Sequence, residues 1–300
     1  KSVGMFAFAL WDCERHVLTL ARDRMGEKPL YYGWQGKGGQ HTFLFGSELK
    51  ALRQHPSWQS AVDRDALANL LRYNYIPAPQ TIYSGVYKLR PGYFLELKSG
   101  NNGKWIEQEE CWWSLQEVSQ RVSKNIFTGS RADAVDHLDN LLCDVIKGQS
   151  LADVPLGAFL SGGVDSSSIV AVMQAISDRP VKTFTIGFES SAYDESSNAR
   201  SVAEYLGSDH HEWIATADDA LSLIPQLPNY YDEPFADASQ IPTLLVSALA
   251  KQNVTVALSG DGGDELFAGY NRHQWAPKLL HKMQYFPEVI RKALAVLIES

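Results

Sequence analysis

The residues with the clearest chemical potential stand together as Ser161-Gly162-Gly163-Val164-Asp165-Ser166-Ser167. An apolar run from Val154 to Leu160 ends abruptly at this group, and Ile169, Val170, Val172, Met173 and Ile176 then recur at helical spacing. The polar residues therefore fall in a turn between a strand and a helix. The first turn of a helix exposes unpaired N–H groups at the positive end of its macrodipole. Two glycines let successive N–H groups converge, and the serines add hydroxyls. This is the chemistry of a phosphate nest. The Gly-Lys-Ser/Thr of a P-loop is absent here, so no loop lysine reaches the terminal phosphates.

A second polar group, Ser259-Gly260-Asp261-Gly262-Gly263-Asp264-Glu265, follows the apolar stretch Val254 to Leu258 directly. It lacks the alternating oxygen ligands and final glutamate of an EF-hand, which argues against a calcium loop. A third acidic stretch contains Asp232, Glu233 and Asp237. Asp237 or Ser239 in it suits a helix cap.

The elements that must position these groups are legible from periodicity. Residues 1 to about 120 carry short strand-like runs: Met5 to Trp11, Val17 to Ala21, Leu30 to Trp34, Thr42 to Phe45 and Tyr93 to Leu97. One helix interrupts them, with Asp63 as N-cap and Ala66, Leu67, Leu70 and Leu71 on a face. Composition turns polar between about 98 and 130, where residues 98–104 read as a hairpin tip, and the domain boundary is placed at 125/126. An amphipathic helix follows, with Ala134, Val135, Leu138, Leu141, Leu142, Val145 and Ile146 as its stripe.

Beyond it, strands alternate with helices: Thr183 to Phe188, Ser197 to Leu206, Glu212 to Ala215, Asp218 to Leu227, Thr243 to Lys251 and Val254 to Leu258. Such alternation predicts a doubly wound parallel sheet. Its ligands bind beyond the carboxyl ends of the strands, so both glycine loops are expected on one rim.

Composition narrows the partners. The net charge of −8 and the lack of a basic block argue against nucleic acid, and no run approaches the roughly 18 to 20 apolar residues of a membrane span. Cys13, Cys111 and Cys143 are scattered and odd in number, which fits reduced thiols and a cytoplasmic location. His210 and His211 have no ligand partner at metal spacing.

The Ser161 to Ser166 loop resembles that of the ATP pyrophosphatases. With Gly4 to Asp12, Arg22-Asp23-Arg24-Met25-Gly26-Glu27-Lys28-Pro29-Leu30-Tyr31-Tyr32, Asp232-Glu233-Pro234-Phe235-Ala236-Asp237 and Ser259 to Tyr270, the chain resembles the glutamine-dependent asparagine synthetases over nearly its whole length. The resemblance implies an α/β protein. Residues 1–125 would be the later part of an antiparallel α+β N-terminal-nucleophile glutaminase-like domain. Residues 126–300 would be the first part of a Rossmann-like ATP pyrophosphatase domain. The implied reaction adenylylates the side-chain carboxylate of aspartate with ATP and Mg²⁺, releases pyrophosphate, and lets ammonia from glutamine displace AMP.

By the same resemblance, Ser161, Gly162, Gly163, Asp165 and Ser166 bind pyrophosphate, with Asp165 and Asp264 on Mg²⁺. Backbone groups near Phe159 and Ile186 meet adenine, Ser259 and Gly260 approach the nucleotide, Asp261 and Tyr270 serve catalysis, and Asp232, Glu233 or Asp237 pairs with the α-ammonium of the amino-acid acceptor. No arginine stands between Tyr230 and Pro242, where some members grip the substrate carboxylate. The glutaminase cysteine and a catalytic lysine are expected outside the sequence, so this chain is expected to bind ATP only. A β-lactam synthetase-like cyclase, an amidotransferase for another carboxylate, and a non-catalytic nucleotide-binding module stay open as alternatives. The partners expected are small molecules, with a homodimer allowed for.

Overall fold

The computed structural model describes residues 2–100, 104–189 and 194–299. The chain forms two compact units, one of residues 1–134 with 218–241, the other of residues 135–217 with 242–300.

The first unit opens with β1 (Ala7–Asp12), β2 (Val17–Arg22), β3 (Tyr31–Gln35) and β4 (Thr42–Gly46). Helices α1 (Leu49–Leu52) and α2 (Arg64–Tyr73) follow. Then come β5 (Val86–Lys88), β6 (Tyr93–Ser99), β7 (Trp105–Cys111) and α3 (Leu115–Ser123). Two antiparallel sheets result, in the orders β1-β2-β6-β7 and β4-β3-β5. Leu20 and Leu95 of the first sheet pack with Tyr32 of the second, together with Leu30 and Leu89. On the other side of β3, Tyr31, Leu44 and Val86 pack against Leu49 and Leu52 of α1.

The expected strands are present, and Asp63 caps α2 by accepting from the N–H groups of Asp65 and Ala66. On α2, however, Leu67 and Leu71 are exposed while Ala66 is buried. The polar stretch after residue 98 contains β7 and α3, which its composition hid. Residues 101–103 of the expected hairpin tip lie outside the described residues, but Ser99 pairs with Trp105 on either side of them.

The conspicuous Arg22-Asp23 pair ties this unit together. Asp23 is 1% exposed, and its carboxylate accepts from the N–H groups of Phe6, Glu27 and Lys28 at 2.9 to 3.2 Å. Arg22 donates to the carbonyls of Lys28, Leu89 and Gly26. Two charges thereby satisfy backbone groups that would otherwise be buried unpaired.

Helix α4 (Arg131–Gln149) leads into the second unit. It is followed by β8 (Leu156–Phe159), α5 (Val164–Ile176), β9 (Lys182–Phe188), α6 (Ser196–Leu206) and β10 (Asp209–Ala215). Of the apolar stripe expected on α4, Ile146 is buried, whereas Val135, Leu138, Leu141 and Val145 are exposed. The chain then passes to the first unit through α7 (Ala217–Leu223), a 3₁₀ turn (Ile224–Gln226) and α8 (Leu227–Tyr230). Helix α9 (Gln240–Lys251) returns it to the second unit, where β11 (Val256–Leu258), α10 (Gly263–Phe267), α11 (Asn271–Met283) and α12 (Glu288–Glu299) complete the fold.

The second sheet system is fully parallel, in the order β10-β9-β8-β11. Ile146 of α4, Val170 and Met173 of α5, and Ala199 and Ala203 of α6 bury one face with Ala158 and Leu258. Phe184 meets Ala250 and Val254 on the other. Helices on both faces make this the doubly wound arrangement that the alternating pattern predicts. From β8 the chain crosses through α5 to β9 on one side, while β11 lies on the other. The carboxyl end of β8 is thus a topological switch point, where such sheets open a crevice.

Candidate nucleotide site

Strand β8 delivers the first loop to this rim. Beyond its end, Leu160 N still donates to Phe184 O at 3.0 Å, and the chain then turns sharply. Gly162 takes a left-handed φ of +79°, and a side chain there would run into the backbone of Asn198 and Ala199 in α6. Gly163, extended at φ −72° and ψ 165°, is the N-cap of α5. Two hydroxyls knit the turn. Ser161 N donates to Ser166 Oγ at 3.2 Å, the two Oγ atoms lie 2.9 Å apart, and Gly163 N donates to Ser161 Oγ at 3.3 Å. Ser166 Oγ in turn donates to Gly163 O at 3.3 Å. Ser166 is buried, so its hydroxyl shapes the loop from inside.

The second loop emerges from β11, which pairs in parallel with β8 in the register Leu258 to Ala158. Neighbouring parallel strands ending together put both loops on the same rim. They touch there: a methyl group on Gly260 would stand 2.8 Å from Ser166 N and 3.1 Å from Asp165 Cβ. Ser259 Oγ donates to Asp261 Oδ2 at 3.0 Å and fixes that carboxylate. Gly262, at φ +90°, turns the chain into α10.

Around this junction lies a cavity of about 800 Å³. Phe159, Ser161, Gly163, Asp165, Ser166, Ile186, Ser259, Gly260, Asp261 and Asp264, all singled out from sequence, line it. Gly162, packed against α6, is not in the lining. Among the lining residues that sequence reasoning missed are Glu195 at the N-cap of α6, Thr185 on β9, and Pro242 and Thr243 in the first turns of α9. Helix N-termini opposite a loop leave no local pattern in the sequence. Among the described lining residues, Asp165, Glu195, Asp261 and Asp264 are acidic and none is lysine, arginine or histidine.

The other expected site residues lie elsewhere. Tyr270 is not in the lining. Its hydroxyl donates to Glu265 Oε1 at 2.7 Å, and that bond to the Glu265 carboxylate raises the Tyr270 pKa. Asp232, Glu233 and Asp237 belong to the first unit. Asp232 accepts from Leu49 N at 2.9 Å and Lys50 N at 3.1 Å, capping α1, whose own Glu48 makes no side-chain cap bond. Glu233 accepts from Ile82 N at 2.7 Å and pairs with Lys88 Nζ at 2.6 Å. Burial, then Glu233 and Asp232, push the nearby Tyr31 hydroxyl pKa upward. Asp237 accepts from Ser239 N at 2.8 Å, and this bond holds its carboxyl below the ordinary range.

Two family models match separate stretches of the chain. Residues 137–299 match the asparagine synthase family model. The chain belongs to the asparagine synthase family. Residues 1–113 of this asparagine synthase-family chain match a glutamine amidotransferase domain. A putative glutamine-hydrolysing asparagine synthetase 2 of Methanocaldococcus jannaschii is 35% identical over 300 residues, covering 98% of this chain and 55% of the relative. Glutamine-hydrolysing asparagine synthetase 1 of Bacillus subtilis is 32% identical, covering 98% and 44%. A Gibberella zeae protein named amidase chry2 is 29% identical, covering 89% and 40%. The chain thus spans about half the length of the curated relatives it matches. No helix among the described residues is long and apolar enough to cross a membrane.

Proposed function

We propose that the second unit binds ATP in the cavity between the two rim loops, for the ATP-dependent amidotransferase reaction of asparagine synthesis. In that reaction the side-chain carboxylate of aspartate is adenylylated and pyrophosphate leaves. Ammonia taken from glutamine then displaces AMP, giving asparagine, AMP and glutamate. The observation that carries the reading is the contact between Gly260 and the Ser166 backbone, which joins two glycine-rich loops around one cavity. The relatives named asparagine synthetase support the choice of reaction.

The residues take roles from their placement. The N–H groups at the start of α5 receive phosphate charge, aided by the helix dipole. Ser161 and Ser166 hold that turn in shape. Phe159 and Ile186 offer apolar surface to the adenine, and Ser259 and Gly260 bound the nucleotide from the second loop. Asp261, oriented by Ser259, faces the same cavity and supports the acyl-adenylate step.

Among the described residues, no three His, Cys, Asp or Glu side chains form a metal-binding group. A lining with four carboxylates and no cationic side chain fits Mg²⁺ instead, which is usually held by one or two carboxylates together with substrate phosphates. Asp165 and Asp264 would hold it. Bound there, it would supply positive charge to the phosphates and to the leaving pyrophosphate.

Calorimetric titration of the 300-residue chain with ATP and Mg²⁺ tests the binding. The reaction is tested in a protein spanning the full length of the relatives, where AMP and pyrophosphate should form only when aspartate is present. Release of ADP and phosphate would rule the reaction out.

A further inference from the structure

Asp165 and Asp264 lack what usually fixes a carboxylate. Neither accepts a hydrogen bond nor joins an ion pair among the described residues, whereas the neighbouring Asp261 is held by Ser259. Each is instead laid against the bare α-carbon of a glycine. A methyl group on Gly263 would stand 2.5 Å from Asp165 Cγ and 2.6 Å from Oδ2. A methyl group on Gly269 would overlap Asp264 Oδ1 and stand 2.8 Å from its Cγ.

The backbone does not demand glycine at either place. Positive φ values occur at Gly262 and Ala268, but not at Gly263 or Gly269. Gly263 is the first residue of α10, where helical backbone is open to any L-residue. What both positions exclude is a side chain in the space the carboxylate fills.

We propose that Gly263 and Gly269 are positioning residues that seat Asp165 and Asp264 for the divalent cation accompanying a nucleotide. The proposal rests on the nucleotide reading above. The closest atoms an added methyl group meets are those of the carboxylate, with Asp165 Cβ at 3.0 Å and Asp264 Cα at 3.2 Å next, so the carboxylate is the first group to give way. The variant therefore loses metal-dependent binding and keeps its structure. Two seats on one short stretch also let a single loop place a carboxylate from α5 and one from α10.

The test titrates ATP into the chain in Mg²⁺ and in EDTA, with thermal melting as the control for folding. Gly263→Ala is expected to weaken binding about tenfold in Mg²⁺ and by less than about twofold in EDTA, with the melting temperature kept. Added to Asp165→Ala, which removes the displaced group, it should cost nothing further. Gly269→Ala should behave in the same way toward Asp264→Ala, and that pair decides the matter if Gly263→Ala does not fold. Equal losses in Mg²⁺ and EDTA, no loss, or full additivity in the double variants would overturn the proposal while leaving nucleotide binding intact. A parent chain that does not bind ATP with Mg²⁺ would remove the nucleotide reading, and the proposal with it.

Discussion

Asp23 carries its charge where water does not reach, and three backbone N–H groups take the place of water. Burial alone would raise its pKa, but the N–H donors of Lys28, Glu27 and Phe6 outweigh burial and hold it below the ordinary 3.8. Its stabilisation is therefore whole above about pH 4 and is lost as pH falls through the lower folded value. Asp23→Asn should cost about 2 kcal/mol at neutral pH, and the gap from the parent should narrow in acid. Urea unfolding at pH 7 and pH 3 checks this, and an equal gap at both would count against it. The Lys88–Glu233 pair calls for a different comparison, because both side chains are largely buried. Lys88→Met alone, leaving a buried carboxylate unpaired, should cost about 3 kcal/mol, and adding Glu233→Leu should recover much of the loss. At this scale the sequence identified which side chains carry chemistry, but not whom they serve. Asp232 and Glu233 read as substrate ligands from type and motif. Their carboxylates are occupied by Leu49, Lys50, Ile82 and Lys88, partners at least 145 positions away.

The rim loops were legible as elements because strand, glycine turn and helix follow one another locally, and the rule for parallel sheets then supplied their proximity. Strand β7 was not legible. Trp105-Ile106-Glu107-Gln108-Glu109-Glu110-Cys111 shows no alternation because most of it is exposed at a sheet edge, and its place comes from pairing with β6. The stripe on α4 was read correctly as helical, yet periodicity does not say which apolar residues find a partner. Loop shape makes its own prediction. Ser166→Ala removes the bonds to Ser161 and Gly163 and should weaken ATP binding about tenfold by calorimetry, at roughly 1 to 2 kcal/mol for the lost bonds. Ser168→Ala, whose hydroxyl bonds to Val164 O within the helix, should change it little. Similar losses in both would show that the inner hydroxyl has no special part.

For the whole molecule, the division into two units does not follow the order of the chain. Residues 218–241 lie between elements of the second unit but fold with the first. Linear reading cannot see such an excursion, since α7 and α8 continue the alternating pattern without interruption. Native-state hydrogen exchange should find amides of 218–241 opening together with those of residues 2–134. Protection that follows β8 to β10 instead would contradict that grouping. An ATP site at the junction of the two rim loops is tested most directly by hydrogen exchange of the chain with and without ATP and Mg²⁺. New protection is predicted in residues 160–168 and 259–264. Protection confined to other segments, or none at saturating nucleotide, would contradict it.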